Sequence, residues 1–188
     1  MTGRVDDAYT YLSKFSRLLR LVLEHSDTTM VSLQSEMEIL HLYISLEQLR
    51  FKGDMLYDVQ LDPDLDGEEI RIPPMLIQPH LENAIWHGLR NKGGDKKLQL
   101  SITEKNAGYL NIVVEDNGIG RVKAAELKTQ QIRTKQHESK GSILSENRMA
   151  LLKKNFPLTS MTITDLYHED GVAAGTKVEL VIPVLNGK

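Results

Sequence analysis

Three absences narrow what this sequence can be. None of its 188 residues is a cysteine, which excludes a disulfide framework and thiolate chemistry. There is no excess of positive charge, since the formal net charge is -3, and this gives no electrostatic reason to expect DNA or RNA binding. No apolar run is long enough to cross a bilayer, and residues 1–6 lack the core of a signal peptide. We therefore expect a cytoplasmic location.

What is present is enough for one well-packed domain. Hydrophobic residues make up 40% of the chain and charged residues 26%, which is typical of a folded globular protein. A chain of this length can bury one good core. We expect an appended segment over residues 1–52 and a main domain over residues 53–188.

Residues 1–50 have the periodicity of two amphipathic helices. The first is predicted over about residues 6–24, and the second begins after Ser32, where Ser35 or Glu36 offers capping chemistry. The apolar residues at helical spacing are Leu12, Phe15, Leu18, Leu19, Val22 and Leu23, then Leu33, Met37, Leu40, Ile44 and Leu49. Two such helices cannot hide both stripes alone, so they must pack on the following domain or on another chain. We expect core packing, with a dimer surface as the alternative.

Beyond residue 52 the pattern changes to strands and helices in alternation. Strands are predicted over residues 57–61, 70–72, 97–104, 109–115, 160–167 and 176–182. Helices are predicted over residues 75–89 and 142–156, and Pro79 should loosen the first turns of the former unless the regular helix begins near Gln78. Residues 121–140 are polar and poor in large apolar side chains, which predicts a mobile loop.

The predicted helix 75–89 carries the first candidate site. Asn83 and His87 lie one turn apart on the same face. Mg²⁺ prefers oxygen ligands and keeps several waters, so the amide oxygen of Asn83 together with triphosphate oxygens is a plausible shell. His87 could hydrogen-bond a phosphate. Taken singly, Asn83 would more often be a surface or capping residue, and a His bonded to backbone explains His87 equally well.

The second candidate site follows an apolar strand, at residues 116–120. A carboxylate at a strand end, as at Asp116, can accept a hydrogen bond from the exocyclic amine of adenine, which guanine does not present at that position. Gly118 and Gly120 give the backbone the freedom to approach a base or a phosphate. An ordinary tight turn is the alternative, because Asn-Gly is a common turn signal.

Together the two motifs resemble the N box and first G box of the GHKL ATPase superfamily, which includes sensor histidine kinases, gyrase and mismatch-repair ATPases. Along nearly the whole chain the sequence resembles the LytS-like sensor histidine kinases, through residues 11–20, 46–51 and 72–79, Gly175-Thr176 and the ending Val181-Ile182-Pro183. The resemblance implies an α/β fold of two layers, the Bergerat fold. Its sheet would be mixed and mostly antiparallel with helices on one face, and the helical hairpin would be attached at the N-terminus.

In that family, the part with these motifs is the cytoplasmic catalytic half of a two-component sensor. It binds ATP with Mg²⁺ and phosphorylates a histidine on a partner helix. The resemblance therefore implies that Asn83 binds Mg²⁺, that Asp116 binds the adenine amine, and that the base pocket contains Gly118, Gly120 and Thr176. The implied partners are a response regulator, the phospho-accepting histidine segment of the parent kinase and a second copy of the protein. The parent protein is expected to be anchored in the inner membrane.

The chain departs from the family pattern at several positions. No Asn-Pro-His-Phe type segment is present, so the phospho-accepting histidine is expected outside this chain. Trp86 stands where the N box usually has a Lys able to touch a phosphate. Gly141 would begin the second glycine box, where a helix N-terminus faces the phosphates, but the usual second glycine is missing. Relatives that hydrolyse ATP have a general-base Glu where this chain has Pro79.

Three functions are therefore compatible with the sequence. The first is a kinase catalytic domain whose lid, over residues 121–140, closes on ATP. The second is a pseudokinase or interaction module, in which Trp86 and the single-glycine second box have abolished nucleotide use. The third is an ATP hydrolase of the gyrase type, against which Pro79 argues. We expect the first.

Overall fold

The computed structural model describes residues 3–51, 54–106, 108–130 and 140–186. The chain opens with a helical hairpin, α1 (Gly3–Ser26) and α2 (Leu33–Arg50), joined through the short strand β1 (Val31–Ser32). The side chain of Ser32 accepts a hydrogen bond from the Ser35 N–H at 3.1 Å and so caps α2. Both predicted helices and the predicted cap are confirmed.

The two helices of the hairpin differ in what they bury. On α2, Leu33, Leu40 and Ile44 are fully buried and belong to the main core, together with residues of the sheet and of the helix that follows. On α1, Leu18 is buried against α2, but the remaining large apolar residues of its stripe are half-buried or exposed. The core-packing prediction is therefore confirmed for α2, except at Leu49. It is wrong for most of α1, because only a few residues of α1 pack against α2.

The main domain is built on a five-stranded sheet in the order β2-β4-β5-β7-β6. β2 pairs with β4 in parallel, and the remaining pairs are antiparallel. The strands are β2 (Met55–Leu61), β4 (Lys96–Asn106), β5 (Tyr109–Asp116), β6 (Ser160–Tyr167) and β7 (Ala173–Pro183). In β5 buried and half-buried residues alternate, so one face of the sheet packs against the core. The predicted mixed, mostly antiparallel sheet with helices is confirmed.

A second, smaller sheet lies beside the hairpin. It has the order β1-β3-β8, with β3 (Ile70–Ile72) in the centre and β8 (Leu185–Asn186) at one edge, and both pairings are antiparallel. Through β1 and β3 it joins the start of α2 to the chain that enters the site helix. The boundary at residue 52 between an appended segment and a main domain stays a prediction.

The site helix begins later than the first residue predicted for it and changes form midway. α3 (Gln78–Asn83) has Pro79 in its first turn, as the later predicted start requires. It continues as a π-helical turn, Ala84–Leu89, which the sequence did not predict. In this turn the backbone bonds run five residues back, as in the 2.8 Å bond from the Arg90 N–H to the Ile85 carbonyl.

Two further helices flank the site, α4 (Arg121–Gln130) and α5 (Lys140–Asn155). The prediction of a mobile loop over residues 121–140 is wrong for residues 121–130. Their Lys, Ala, Glu, Leu and Gln residues are strong helix formers, and polarity alone did not exclude a helix that lies on the surface. Residues 131–139 of the predicted lid lie outside the described residues. Within the described ranges, no helix combines the length and hydropathy that a membrane crossing requires.

Candidate nucleotide site

A cavity of about 330 Å³ opens between α3, the sheet and α4. The described residues that line it come from both sequence motifs and from β7 and α4; they include Asn83, His87, Gly88, Asp116, Gly120, Arg121 and Thr176. This volume lies within the range of small-molecule pockets. The two motifs, some thirty residues apart in the sequence, therefore form the walls of one cavity.

Asp116, at the end of β5, is the most constrained polar group of this cavity. Its side chain is only 4% exposed, and its Oδ1 accepts a 2.7 Å hydrogen bond from the Gly118 N–H. Burial raises the pKa of Asp116 to about 6, while hydrogen bonds from the backbone of Gly118 and Thr176 act in the opposite direction. At neutral pH the group is mainly ionised and can accept a hydrogen bond from a ligand amine.

Three glycines enclose Asp116 so closely that a side chain at any of them would collide with it. A Cβ on Gly88 or on Gly118 would lie 2.5 Å from Asp116 Oδ1, and one on Gly175 would lie 1.8 Å from the Asp116 carbonyl oxygen. Gly175 also has a φ of 137°, which L side chains rarely adopt. Gly118 contacts Asp116 but is not among the described residues that line the cavity. Gly120 does line the cavity.

Asn83 and His87 line the cavity from the site helix. Asn83 is the last residue of α3 and His87 lies in the π-helical turn, and both line the cavity as their spacing predicted. π-helical turns of this kind often occur at functional sites. Among the described residues, no group of three or more His, Asp or Glu could hold a metal ion by itself. The donor set suits Mg²⁺ bound by one amide oxygen and by phosphate oxygens, which is the arrangement predicted for Asn83.

Trp86 does not face this cavity. Its ring lies between the guanidinium groups of Arg50 and Arg90, whose Cζ atoms are 4.7 Å and 4.6 Å from the ring centroid. Its Nε1–H donates a 3.2 Å hydrogen bond to the Tyr43 hydroxyl on α2. The position at which the family usually has a phosphate-side Lys is used here to attach the π-helical turn to α2.

His80 is a lining residue that the sequence analysis did not single out. It is 5% exposed, and its Nε2 lies 3.1 Å from Ser145 Oγ on α5, which in turn donates to the Leu76 carbonyl at 3.3 Å. Burial lowers the pKa of His80 to about 4, so the ring is neutral at physiological pH. Its position three residues before Asn83, on the same helix face, was the available signal.

The rim of the cavity is joined to the edge of the sheet by an ion pair that the sequence did not predict. Arg121, the first residue of α4, donates to both carboxylate oxygens of Asp165 on β6, at 2.7 Å and 2.8 Å. This two-pronged geometry fixes the start of α4 beside the cavity. Gly141 is the second residue of α5. Its role in a second glycine box stays a prediction, as do the roles of the other predicted site residues.

The chain is similar to histidine kinases in sequence. A family model described as histidine kinase matches residues 1–55. The uncharacterized protein YwpD of Bacillus subtilis is 32% identical over 62% of this chain, and the match covers 41% of that protein. The sensor histidine kinase/phosphatase LytS of Staphylococcus aureus is 30% identical over 61% of this chain, and the match covers 19% of that protein. The chain thus spans less than half the length of these curated relatives.

Solved structures extend the similarity to the fold. The histidine kinase domain of the Erythrobacter litoralis blue-light activated histidine kinase has a TM-score of 0.58 at 17% identity, covering 93% of this chain and 75% of that one. The mycobacterial sensor histidine kinase MprB has a TM-score of 0.53 at 14% identity, and the match covers 84% of this chain and 98% of that one. The resemblance to the C-terminal part of LytS-like sensor histidine kinases is confirmed, and so is the histidine-kinase ATPase fold.

Proposed function

We propose that this chain is the ATP-binding catalytic part of a two-component sensor histidine kinase. It binds Mg-ATP in the cavity beside α3 and transfers the γ-phosphate to a histidine that lies outside this chain. The similarity to sensor histidine kinases supports the kinase class.

The buried Asp116 is the observation on which the proposal depends most. Glycines at positions 88, 118 and 175 leave no side chain beside Asp116 at those three points, and its carboxylate lines an open cavity. An exocyclic amine of adenine would give it a charge-assisted hydrogen bond. A guanine carbonyl at that position would instead face the carboxylate with a second acceptor, so the site should prefer ATP over GTP.

The wall formed by α3 and the π-helical turn would hold the phosphates. The Asn83 amide oxygen is a suitable Mg²⁺ ligand, and the His87 ring, which also lines the cavity, would hydrogen-bond a phosphate oxygen. Bound Mg²⁺ would offset the negative charge of the triphosphate. In phosphoryl transfer the protein contributes mainly positioning and electrostatics, so the attacking histidine can come from another segment.

An ATP hydrolase is the weaker alternative because none of the described lining residues that α3 contributes is a carboxylate base. Pro79, in the first turn of α3, occupies the position where hydrolysing relatives have Glu, and the side chain of Glu82 accepts a hydrogen bond from Gln78 along the helix. We expect turnover by the isolated chain to be negligible without an acceptor. A phosphate-release assay tests this.

Calorimetric titration with Mg-ATP and Mg-GTP tests the proposal. We expect the protein to bind Mg-ATP and to bind Mg-GTP more weakly. Asp116→Ala should lower the affinity for Mg-ATP by about tenfold to a hundredfold, because the buried amine of adenine loses its acceptor. Glu115→Ala is the matched control, because Glu115 is the adjacent residue of β5 and its side chain points to the other face of the sheet. Equal affinity of both variants would contradict the assignment of Asp116.

The pseudokinase alternative is favoured by one observation, the position of Trp86 against α2, which leaves no Lys at that point of the phosphate wall. The absence of binding at millimolar Mg-ATP would support it. If Mg-ATP binds, transfer to an added fragment that carries the phospho-accepting histidine of a LytS-like kinase tests the kinase step. Labelled phosphate on that fragment is the expected product.

The exposed apolar residues of α1 support the homodimer that the resemblance implies. Tyr9, Leu12, Leu19 and Leu23 are 76%, 62%, 47% and 67% exposed, at spacings of three, seven and four. We expect Leu12→Lys with Leu23→Lys to shift any self-association toward monomers in sedimentation, with no change in secondary structure. We further propose a response regulator as the phosphate recipient and a cytoplasmic position in a membrane-anchored parent protein.

A further inference from the structure

A second buried carboxyl lies beside the turn that leads into α3 and belongs to neither motif. Glu36, on α2, has no exposed surface, and its Oε2 accepts a 3.0 Å hydrogen bond from the Met75 N–H. Its Oε1 makes no hydrogen bond with any described residue. A carboxyl this deeply buried is costly, so it calls for a specific role.

The segment that Glu36 contacts is the entrance to the site helix. Met75 has a φ of 54°, a left-handed conformation that is unusual for a residue with a side chain. The N–H groups of Met75, Leu76 and Ile77 all act on the carboxyl, and α3 begins at the next residue, Gln78. Burial raises the pKa of Glu36 to about 7, and these N–H groups and the charge of Arg148 lower it. Glu36 therefore supplies, from another helix, an acceptor for the N–H groups of the turn that leads into α3.

Helix α5 contacts the same turn from another direction. The Arg148 guanidinium donates to the Pro74 carbonyl, immediately before Met75. Further along, Tyr43 and Arg50 of α2 contact Trp86 in the π-helical turn. Helix α2 thus contacts the segment of residues 75–89 at its entrance and near its end, and this segment carries Asn83 and His87.

We propose that Glu36 is a positioning residue that couples helix α2 to the nucleotide cavity by fixing the turn at residues 75–77. A displacement of α2 by the parent protein is then transmitted to the wall that carries Asn83 and His87. The effect on nucleotide affinity rests on the proposed function. The effect of Glu36 on the order of residues 75–89 does not depend on that function. Residues 75–89 should be ordered by Glu36 even when no nucleotide is present.

The test compares Glu36→Gln with Glu38→Gln. Gln preserves the shape and one acceptor oxygen at position 36, so the fold should be retained. Glu38, two residues on in the same helix, pairs with Arg17 on the surface and is the matched control. Hydrogen exchange in the nucleotide-free protein is the first measurement. In Glu36→Gln we expect exchange about tenfold faster over residues 75–89 and unchanged exchange in β4 and β5, the tenfold ratio corresponding to about 1.4 kcal/mol.

Affinity for Mg-ATP is the second measurement. We expect the dissociation constant of Glu36→Gln to rise about tenfold and that of Glu38→Gln to stay within about twofold. Equal exchange in the two variants over residues 75–89 would overturn the inference, and so would a uniform increase over the whole sheet, which indicates a general structural role. If the unchanged protein binds no Mg-ATP, the proposed function fails while the exchange result still decides the role of Glu36.

Discussion

Helices α1 and α2 both have apolar residues at helical spacing in the sequence, but the structure buries those of α2 and leaves most of those of α1 exposed. Helix α2 buries Leu33, Leu40 and Ile44 in the core that supports the cavity, whereas α1 leaves Leu12 and Leu23 mostly exposed. An apolar stripe predicts that a helix face is covered, but it does not identify what covers it. The difference also separates the two helices in their packing: α2 belongs to the core that supports the cavity, and α1 leaves an apolar surface exposed.

The same Leu→Ala substitution should have a much larger effect on stability in α2 than in α1. Leu40→Ala removes a fully buried side chain, and we expect the free energy of unfolding to fall by about 2–5 kcal/mol. Leu12→Ala, at a 62% exposed position, should change it by less than about 0.5 kcal/mol. Urea unfolding at a concentration where the protein is monomeric measures both. Similar losses at both positions would show that α1 is covered in solution.

The second prediction concerns how the affinity for Mg-ATP depends on pH through Asp116. Because the amine of adenine needs an ionised acceptor, Mg-ATP affinity should fall by up to about tenfold per pH unit below the pKa of Asp116, about 6. The sign for folding is the reverse: a carboxyl whose pKa is raised by burial contributes stability at low pH and loses it as the pH rises through 6.

Lys substitutions at Leu12 and Leu23 should leave that pH profile unchanged, since α1 packs on α2 and away from the cavity. Calorimetry between pH 5 and pH 8, roughly one unit or more on each side of the Asp116 transition, measures the profile for the unchanged protein and for the variant with both Lys substitutions. A profile that shifts with the α1 substitutions would mean that α1 influences Asp116.

Removing one hydrogen-bonded contact between the two helices should have the smallest effect. His25, at the end of α1, is buried, and its Nε2 lies 2.8 Å from Ser35 Oγ on α2. Ser35→Ala should cost about 1 kcal/mol, the usual contribution of one hydrogen bond. Ser45→Ala is the control, because that hydroxyl bonds only to the Leu42 carbonyl of its own helix among the described contacts. Thermal unfolding of both variants tests the difference.

Much of the fold could be predicted because the local signals agree with it. Ser32 caps α2, the strand at residues 160–167 was predicted with its observed bounds, and the two motifs were correctly expected to meet. The π-helical turn could not be predicted, since residues 84–89 read as an ordinary helix. Helix α4 was missed because its polarity was given more weight than its propensity.

At the site, sequence reasoning found the residues of the two motifs and missed those that depend on tertiary contact. His80 has no motif of its own. It lines the cavity from α3, and its contact with Ser145, which is 65 residues away in the sequence, forms only in the folded chain. Gly88 and Gly175 matter because the Asp116 carboxylate or backbone passes within a bond length or two of where their side chains would be. Such close approaches become visible only after the strands have paired.

The parallel pairing of β2 with β4 has a consequence for the order in which the domain folds. Strands β4 and β5 are joined by a short turn, whereas β2 reaches β4 only after the chain has passed through β3, α3 and the π-helical turn. Closing so long a loop costs conformational entropy before any contact repays it, so we expect the β4–β5 hairpin to form early and β2 to join late. The segment with Asn83 is enclosed in that loop, and the nucleotide wall should therefore become complete only in the last stage of folding.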